Sequence, residues 1–343
     1  MDLRRLEAAL FAEKELIIGN IILLGEVPSY AGTWQSDDET ASADYNVRAR
    51  FFADRLAELG IDECTTDPLG NPVGLIKGSD PARPPILVMA ELDSLYNPSG
   101  DIHFELRDGK IQGPGLMDNA LGGAAVLSLP DMLKRQGIAL KSSLMIAGVS
   151  NTMRDAKNLA LMDRFVDTLE AKPCAALIVK GGELGRLNYF SDAVIRADIV
   201  CERRDDEKGA TADMVVVATH IVDQLLAIRI PTRPQTSLTV GMLKAGFKYG
   251  DPAAQARIGI ELRSVSNDVV KDISAQIRDI MDLVRFELRV DVIYDVAVEL
   301  GAANLGWEHS LTRSAVRVMR ELGLEPDVYP SVSELFYFLK RSI

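Results

Sequence analysis

Histidine is scarce: the chain of 343 residues has only three, His103, His220 and His309. None follows an apolar strand at ligand spacing, so the sequence lacks the dense imidazole set of a two-zinc centre. Cysteine is equally sparse. Cys64, Cys174 and Cys201 are far apart and odd in number, which fits reduced thiols in a cytoplasmic protein better than a disulfide framework. Long apolar runs are missing too. The stretch Ile17 to Leu24 contains Gly19 and Asn20 and is far shorter than the roughly 20 residues that span a bilayer. Acidic residues precede it and no small-residue cleavage site follows, so it does not read as a signal peptide. Positive charge is in deficit, with 50 Asp and Glu against 38 Lys and Arg, and no basic patch stands out. This excludes nucleic acid as the expected partner.

What is present suits a large globular fold. At 47% hydrophobic, the chain can bury two cores of ordinary size. A helix is expected from near Asp2 to about Leu24 and another from Ala43 to Leu59, ended by Gly60. Val73 to Lys77 and Ile86 to Met89 read as buried strands. Gly122 to Leu133 reads as a helix, Leu140 to Val149 as a strand, Asp155 to Leu169 as a helix and Ala175 to Val179 as a strand. Strands alternating with helices predict an α/β fold, a mostly parallel sheet with helices on both faces.

After about Ser191 the order changes to strand 194–201, helix 210–228, strands 237–244 and 256–263, helix 268–284 and strand 287–298. That β-α-β-β-α-β order predicts an inserted α+β domain of ferredoxin-like type, residues 191–305, within an α/β domain made of 1–190 and 306–343.

The segment ILVMAELD ends a buried strand with Glu91 and Asp93 at alternate positions, on one side of an extended chain. Acids at the C-terminal end of a parallel strand lie where open α/β sheets bind ligands. Further on, GPGLMDNALGGAA places Asp118 on a glycine turn before a closely packed helix.

Gly70-Asn71, ILVMAELDSL, DGKIQGPGLMDNALGGAAVL and the ELRS ending at Ser264 resemble, in order and spacing, the co-catalytic zinc peptidases and amidohydrolases of the aminoacylase, peptidase T and carboxypeptidase G type. The resemblance runs from about Leu16 to Phe338. It implies a metal ligand at Glu91, where the family has histidine, an orienting acid at Asp93 and a metal-bridging acid at Asp118. It also implies a second acid pair where this chain has Asn151 and Thr152, a further acid ligand at Lys180 and a lid histidine at Asp205. Arg263 stands where the family grips a substrate carboxylate. A final glycine-rich loop with the last histidine ligand would lie beyond Ile343, which makes the α/β domain short at its C-terminal end.

From Ile138 to Arg154 there is no acid, so no shift of register restores the pair at Asn151 and Thr152. The expected function is therefore a non-catalytic binding or partner-subunit relative, impaired in two-zinc hydrolysis. The alternative is a working metallohydrolase with a carboxylate-rich site. No cofactor is expected or, failing that, one divalent ion (Mg, Mn or Zn) at Asp118. Lys180 has two readings: an ammonium that offsets Glu91, Asp93 and Asp118, or a side chain in solvent. The partners implied are a second copy bound through the lid and a small carboxylate-bearing ligand or a partner protein. No membrane is among them.

Overall fold

The computed structural model describes residues 3–27, 41–94, 103–150, 156–204, 212–329 and 331–343. The chain divides into two compact units, Met1–Leu187 with Gly306–Val328 and Tyr337–Ile343, and Asn188–Leu305 with Tyr329–Phe336. The sequence assigned all of 306–343 to the α/β domain. Tyr329–Phe336 instead belongs to the second unit, because Ser331 and Ser333 bond to Asp192 and Ser191 there.

The first unit begins with α1 (Leu3–Ala12) and α2 (Lys14–Glu26). The single helix expected here is broken at Glu13, whose backbone leaves helical geometry and whose buried side chain pairs with Arg135 at 3.1 Å. Then come α3 (Ala41–Glu58), β1 (Glu63–Thr66), β2 (Pro72–Ile76), β3 (Ile86–Glu91) and the hairpin β4 (Glu105–Arg107) and β5 (Lys110–Gln112). A kinked turn, Leu116–Ala120, with non-helical backbone at Asp118 and Asn119, leads into α4 (Leu121–Arg135), followed by β6 (Leu144–Val149), α5 (Ala156–Thr168) and β7 (Ala175–Val179).

These strands form a sheet in the order β1-β2-β6-β3-β7, in which β3 runs parallel to both β6 and β7 while β2 and β1 add an antiparallel edge. The result is a mixed α/β unit with a parallel centre. Strand β6 and residues 87–90 of β3 are buried on both faces, which is why each reads as a continuous apolar run. Strand β1, ECTT, escapes sequence reading because every one of its side chains is exposed. Leu24 of α2, Phe52 and Leu56 of α3 and Leu127 of α4 share one core with Leu92 and Ile146.

The second unit holds β8 (Phe190–Ser191), β9 (Ala193–Glu202), α6 (Met214–Ala227), β10 (Thr236–Ala245), β11 (Gln255–Ser264), α7 (Asn267–Leu288), β12 (Asp291–Leu300) and β13 (Ala303–Asn304). Its four long strands pair antiparallel in the order β10-β11-β9-β12, the arrangement of a ferredoxin-like split unit. One sheet face is apolar and helix-covered: Ile195, Ala197, Ile199, Ile258, Ile260 and Leu262 share a core with Ile221 of α6 and Ile277 of α7. Helices α6 and α7 start on side-chain caps, Asp213 and Ser266, which accept from Val215 N and Val269 N. The strand expected from Glu287 begins at Asp291, because α7 continues to Leu288 and stops at Arg289 in the left-handed region, φ 52°. The chain then forms α8 (Ser310–Glu321) and α9 (Leu335–Leu339). No helix among the described residues is long and apolar enough to cross a membrane.

Candidate functional site

Parallel pairing places the C-terminal ends of β3 and β7 side by side, with Ala90 opposite Val179. The next side chain on each strand is charged. Lys180 Nζ lies 3.1 Å from Glu91 Oε2, with the carboxylate side chain 18% exposed and the ammonium side chain 42% exposed. Asp93 follows two residues later and is buried, while Asp118 sits exposed at the kink before α4. The peptide between Asp118 and Asn119 is cis.

Asn119 ties these pieces together. Its buried Nδ2 donates to Glu91 O at 3.0 Å and to Val179 O at 3.4 Å, and its Oδ1 accepts from Gly181 N at 2.7 Å and from Gly122 N at 3.3 Å. One side chain thus holds the ends of β3 and β7 to the start of α4. Glycine is required on both sides of it: a Cβ at Gly122 would stand 2.5 Å from Val179 O, and one at Gly181 would overlap the Met117 carbonyl oxygen. Asn71 does similar work next to β6. Its Oδ1 accepts from Ser150 N at 3.1 Å, and its own Nδ2 donates to Asp67 Oδ2 at 3.0 Å.

A second cation lies beneath the acids. Arg48, on α3, is 4% exposed; its Nη1 donates to Leu92 O at 2.9 Å, and its Nε and Nη2 donate to Val27 O at 3.0 and 2.7 Å. Burial lowers its pKa to about 10, against the pull of Asp93 and then Asp118, both of which favour the charged form. Sequence reading singled out Lys180 and missed Arg48. The available signal was an arginine on the stripe that carries Ala49, Phe52 and Leu56, the buried face of α3.

Asn151 and Thr152, like Asp205, lie outside the described residues. Arg263 belongs to the second unit, on the sheet face opposite the helices, where its Nη2 lies 3.2 Å from Asp192 Oδ2. Of the histidines, His220 is in α6 and His309 caps α8, accepting from Leu311 N through Nδ1 at 3.3 Å. Among the described residues no group of three or more His, Cys, Asp or Glu is placed to hold a metal ion.

Residues 71–151 match the model of Peptidase family M28. No curated protein matches the chain significantly in sequence. Among solved structures, the aminopeptidase PepT from Bacillus cereus is similar over 96% of this chain and 88% of its own, with 15% identity and a TM-score of 0.71. The dipeptidase Dug1p of Saccharomyces cerevisiae is similar over 97% and 87%, with 12% identity and a TM-score of 0.75. The YXEP protein of Bacillus subtilis, a dinuclear metal binding peptidase of the M20 family, is similar over 95% and 85%, with 15% identity and a TM-score of 0.59. The chain thus has the fold of the zinc exopeptidases and amidohydrolases, as the sequence motifs implied. At these identities the likeness to the solved structures is one of fold.

Proposed function

We propose that this chain, on the scaffold of a metal-dependent peptidase, is a non-catalytic binding or partner-subunit relative in which side-chain cations balance the acids of the former metal site. The observation that carries the reading is the contact between Lys180 and Glu91: an ammonium occupies the place where the resemblance puts a metal ligand, and it faces the carboxylate at another ligand position. Arg48 supports it from below, a guanidinium held against backbone carbonyls with Asp93 and Asp118 nearby.

The donor chemistry does not fit a pair of zinc ions. Zinc favours imidazole and thiolate, whereas the residues that the resemblance puts at the ligand positions here are the carboxylates Glu91 and Asp118, with Glu91 bonded to an ammonium. A divalent ion at Asp118 would meet the field of the Arg48 guanidinium, which already interacts with that carboxylate, and like charges repel. A homodimer through the second unit belongs to the same reading. Strand β10 is a sheet edge, and Phe247 and Tyr249 in the turn after it are fully exposed.

Elemental analysis of protein purified without chelators tests the proposal. The expected result is less than one transition-metal ion per chain. Two zinc or manganese ions per chain would overturn it in favour of a working hydrolase with a carboxylate-rich site.

A further inference from the structure

Strand β12 is one edge of the four-stranded sheet and carries a bulge between Val296 and Val298. Before the bulge, Val292, Tyr294 and Val296 stand opposite Cys201, Ile199 and Ala197, on the face that packs against the helices. The extra residue reverses the alternation. Glu299 therefore stands opposite Ile195, and its carboxylate is turned to the helix-covered face, where a regular strand would have put it outside.

Glu299 lines a cleft of about 240 Å³ between the end of β12 and the first half of α7. The α7 wall carries Lys271, Ser274 and Arg278, spaced three and four residues apart and so on one helical face. Ile195, Val270 and Leu300 supply apolar lining. Asn267 Oδ1 accepts from Ala302 N at 2.6 Å and fixes the start of the helix to the chain beyond β12. Ser274 is 2% exposed, yet its Oγ has no hydrogen-bond partner among the described residues, not even the Val270 carbonyl four residues back. The neighbouring Tyr294 hydroxyl is likewise buried without a partner in bonding geometry. Lys271, Arg278 and Glu299 are exposed and form no ion pair among the described residues, and Arg278 lies 5.9 Å from the centre of the Tyr294 ring. A bulge and an inward charge also keep a sheet edge from pairing with another chain. That role requires neither two cations in the same cleft nor an unpaired buried hydroxyl, which is costly to maintain.

Charges of both signs select among ligands. A simple anion drawn to Lys271 and Arg278 would be repelled by Glu299, and a simple cation drawn to Glu299 would be repelled by the other two. A ligand that carries both charges a few bonds apart satisfies all three. The cleft is smaller than the about 300–1,000 Å³ typical of pockets for drug-sized molecules, so that ligand is small. We propose that the cleft binds a free α-amino acid with a small apolar side chain: its carboxylate meets Lys271, Arg278 and the Ser274 hydroxyl, its ammonium meets Glu299, and its side chain packs on Ile195, Val270 and Leu300. Every lining residue belongs to the second unit, so the proposal is independent of whether the acids of the first unit hold metal.

The test titrates the full chain with L-valine, with N-acetyl-L-valine, which lacks the ammonium, and with L-valinamide, which lacks the carboxylate. Methyl NMR shifts of Ile195, Val270 and Leu300 report binding at the cleft and separate it from binding elsewhere. L-Valine is expected to shift these methyls saturably and to bind at least about tenfold more tightly than either analogue. Glu299→Gln should remove the preference for L-valine over N-acetyl-L-valine, and Lys271→Gln with Arg278→Gln should remove its preference over L-valinamide. The three substituted side chains are exposed, so the variants are expected to fold, and the wild-type ranking of the probes decides if one does not. Absence of a saturable L-valine shift at these methyls, an analogue that binds as tightly as L-valine, or a Glu299→Gln variant with an unchanged ranking overturns the proposal. Inorganic phosphate shifting the same methyls while L-valine does not would also overturn it, in favour of a simple anion site.

Discussion

Lys180 Nζ bonds to Glu91 Oε2 at 3.1 Å across the adjoining ends of two parallel strands, although the residues are 89 apart in sequence. Full burial of this pair would make Lys180→Met cost about 3 kcal/mol, the usual effect of stranding a buried charge. The pair is only half-buried, so we expect a loss of about 1 kcal/mol, read by urea denaturation. A loss of about 3 kcal/mol or more would mean that the ammonium carries the site's charge balance almost alone.

Arg48 should matter more, because it is 4% exposed and three of its nitrogens are bonded to carbonyls. Arg48→Met is expected to cost about 3 kcal/mol in chemical denaturation, since it leaves the Val27 and Leu92 carbonyls without their donor and removes a buried charge that Asp93 attracts. Arg48→Lys should recover little, because a single ammonium cannot reproduce the fork that spans Val27 and Leu92. Near-neutral melting of either variant would count against Arg48 as the buried counter-cation.

Around Asn119 the expectation is steric as well as polar. Gly181→Ala should cost about 2 kcal/mol or more, because the new methyl would press on Met117 backbone rather than on a movable side chain. Gly19, inside α2, has open space where a methyl group would stand, with no atom within 4 Å, so Gly19→Ala should stabilise by about 0.5–1 kcal/mol as helix propensity predicts. Thermal melts of the two variants should therefore move in opposite directions.

Asp163 on α5 gives a pH dependence. Burial raises its pKa, but the ion pairs with Lys340 and Arg341 outweigh that and hold it below the usual carboxylate value. A depressed folded-state pKa contributes stability that is present above the unfolded value, near 4, and is lost as pH falls through the folded value. Wild type should therefore lose stability below about pH 4 more steeply than Asp163→Asn. Parallel acid-denaturation curves for the two proteins would refute this.

Dimerisation through the second unit predicts that Phe247→Ser combined with Tyr249→Ser shifts the chain to a monomer. Both side chains are fully exposed beside the β10 edge. Light scattering at micromolar concentration checks it; a wild-type monomer would refute dimerisation itself.

Local pattern determined a good deal of this protein. ILVMAE and LMIAGV are apolar without alternation, and a strand buried on both faces must read that way, so β3 and β6 were legible as the centre of a parallel sheet. The apolar spacing of α7 and the alternation of β11 likewise determined the split β-α-β-β-α-β order, and three histidines limited what the site could bind. Strand β1 was not legible because it buries nothing, and the pairing of Glu13, where the helix breaks, with Arg135 was not because the two are more than a hundred residues apart.

The tertiary structure alone decided which charges meet. Sequence places Glu91, Lys180, Arg48, Asp192 and Arg263 on their elements, but a partner is chosen by strand register and by helix rotation against a sheet. Parallel register brings Lys180 to Glu91, the burial of one face of α3 carries Arg48 under the acids, and the antiparallel pairing of β9 with β11 brings Asp192 to Arg263. Each contact joins residues distant in sequence, and its energy depends on separation and burial, neither of which a one-dimensional pattern contains.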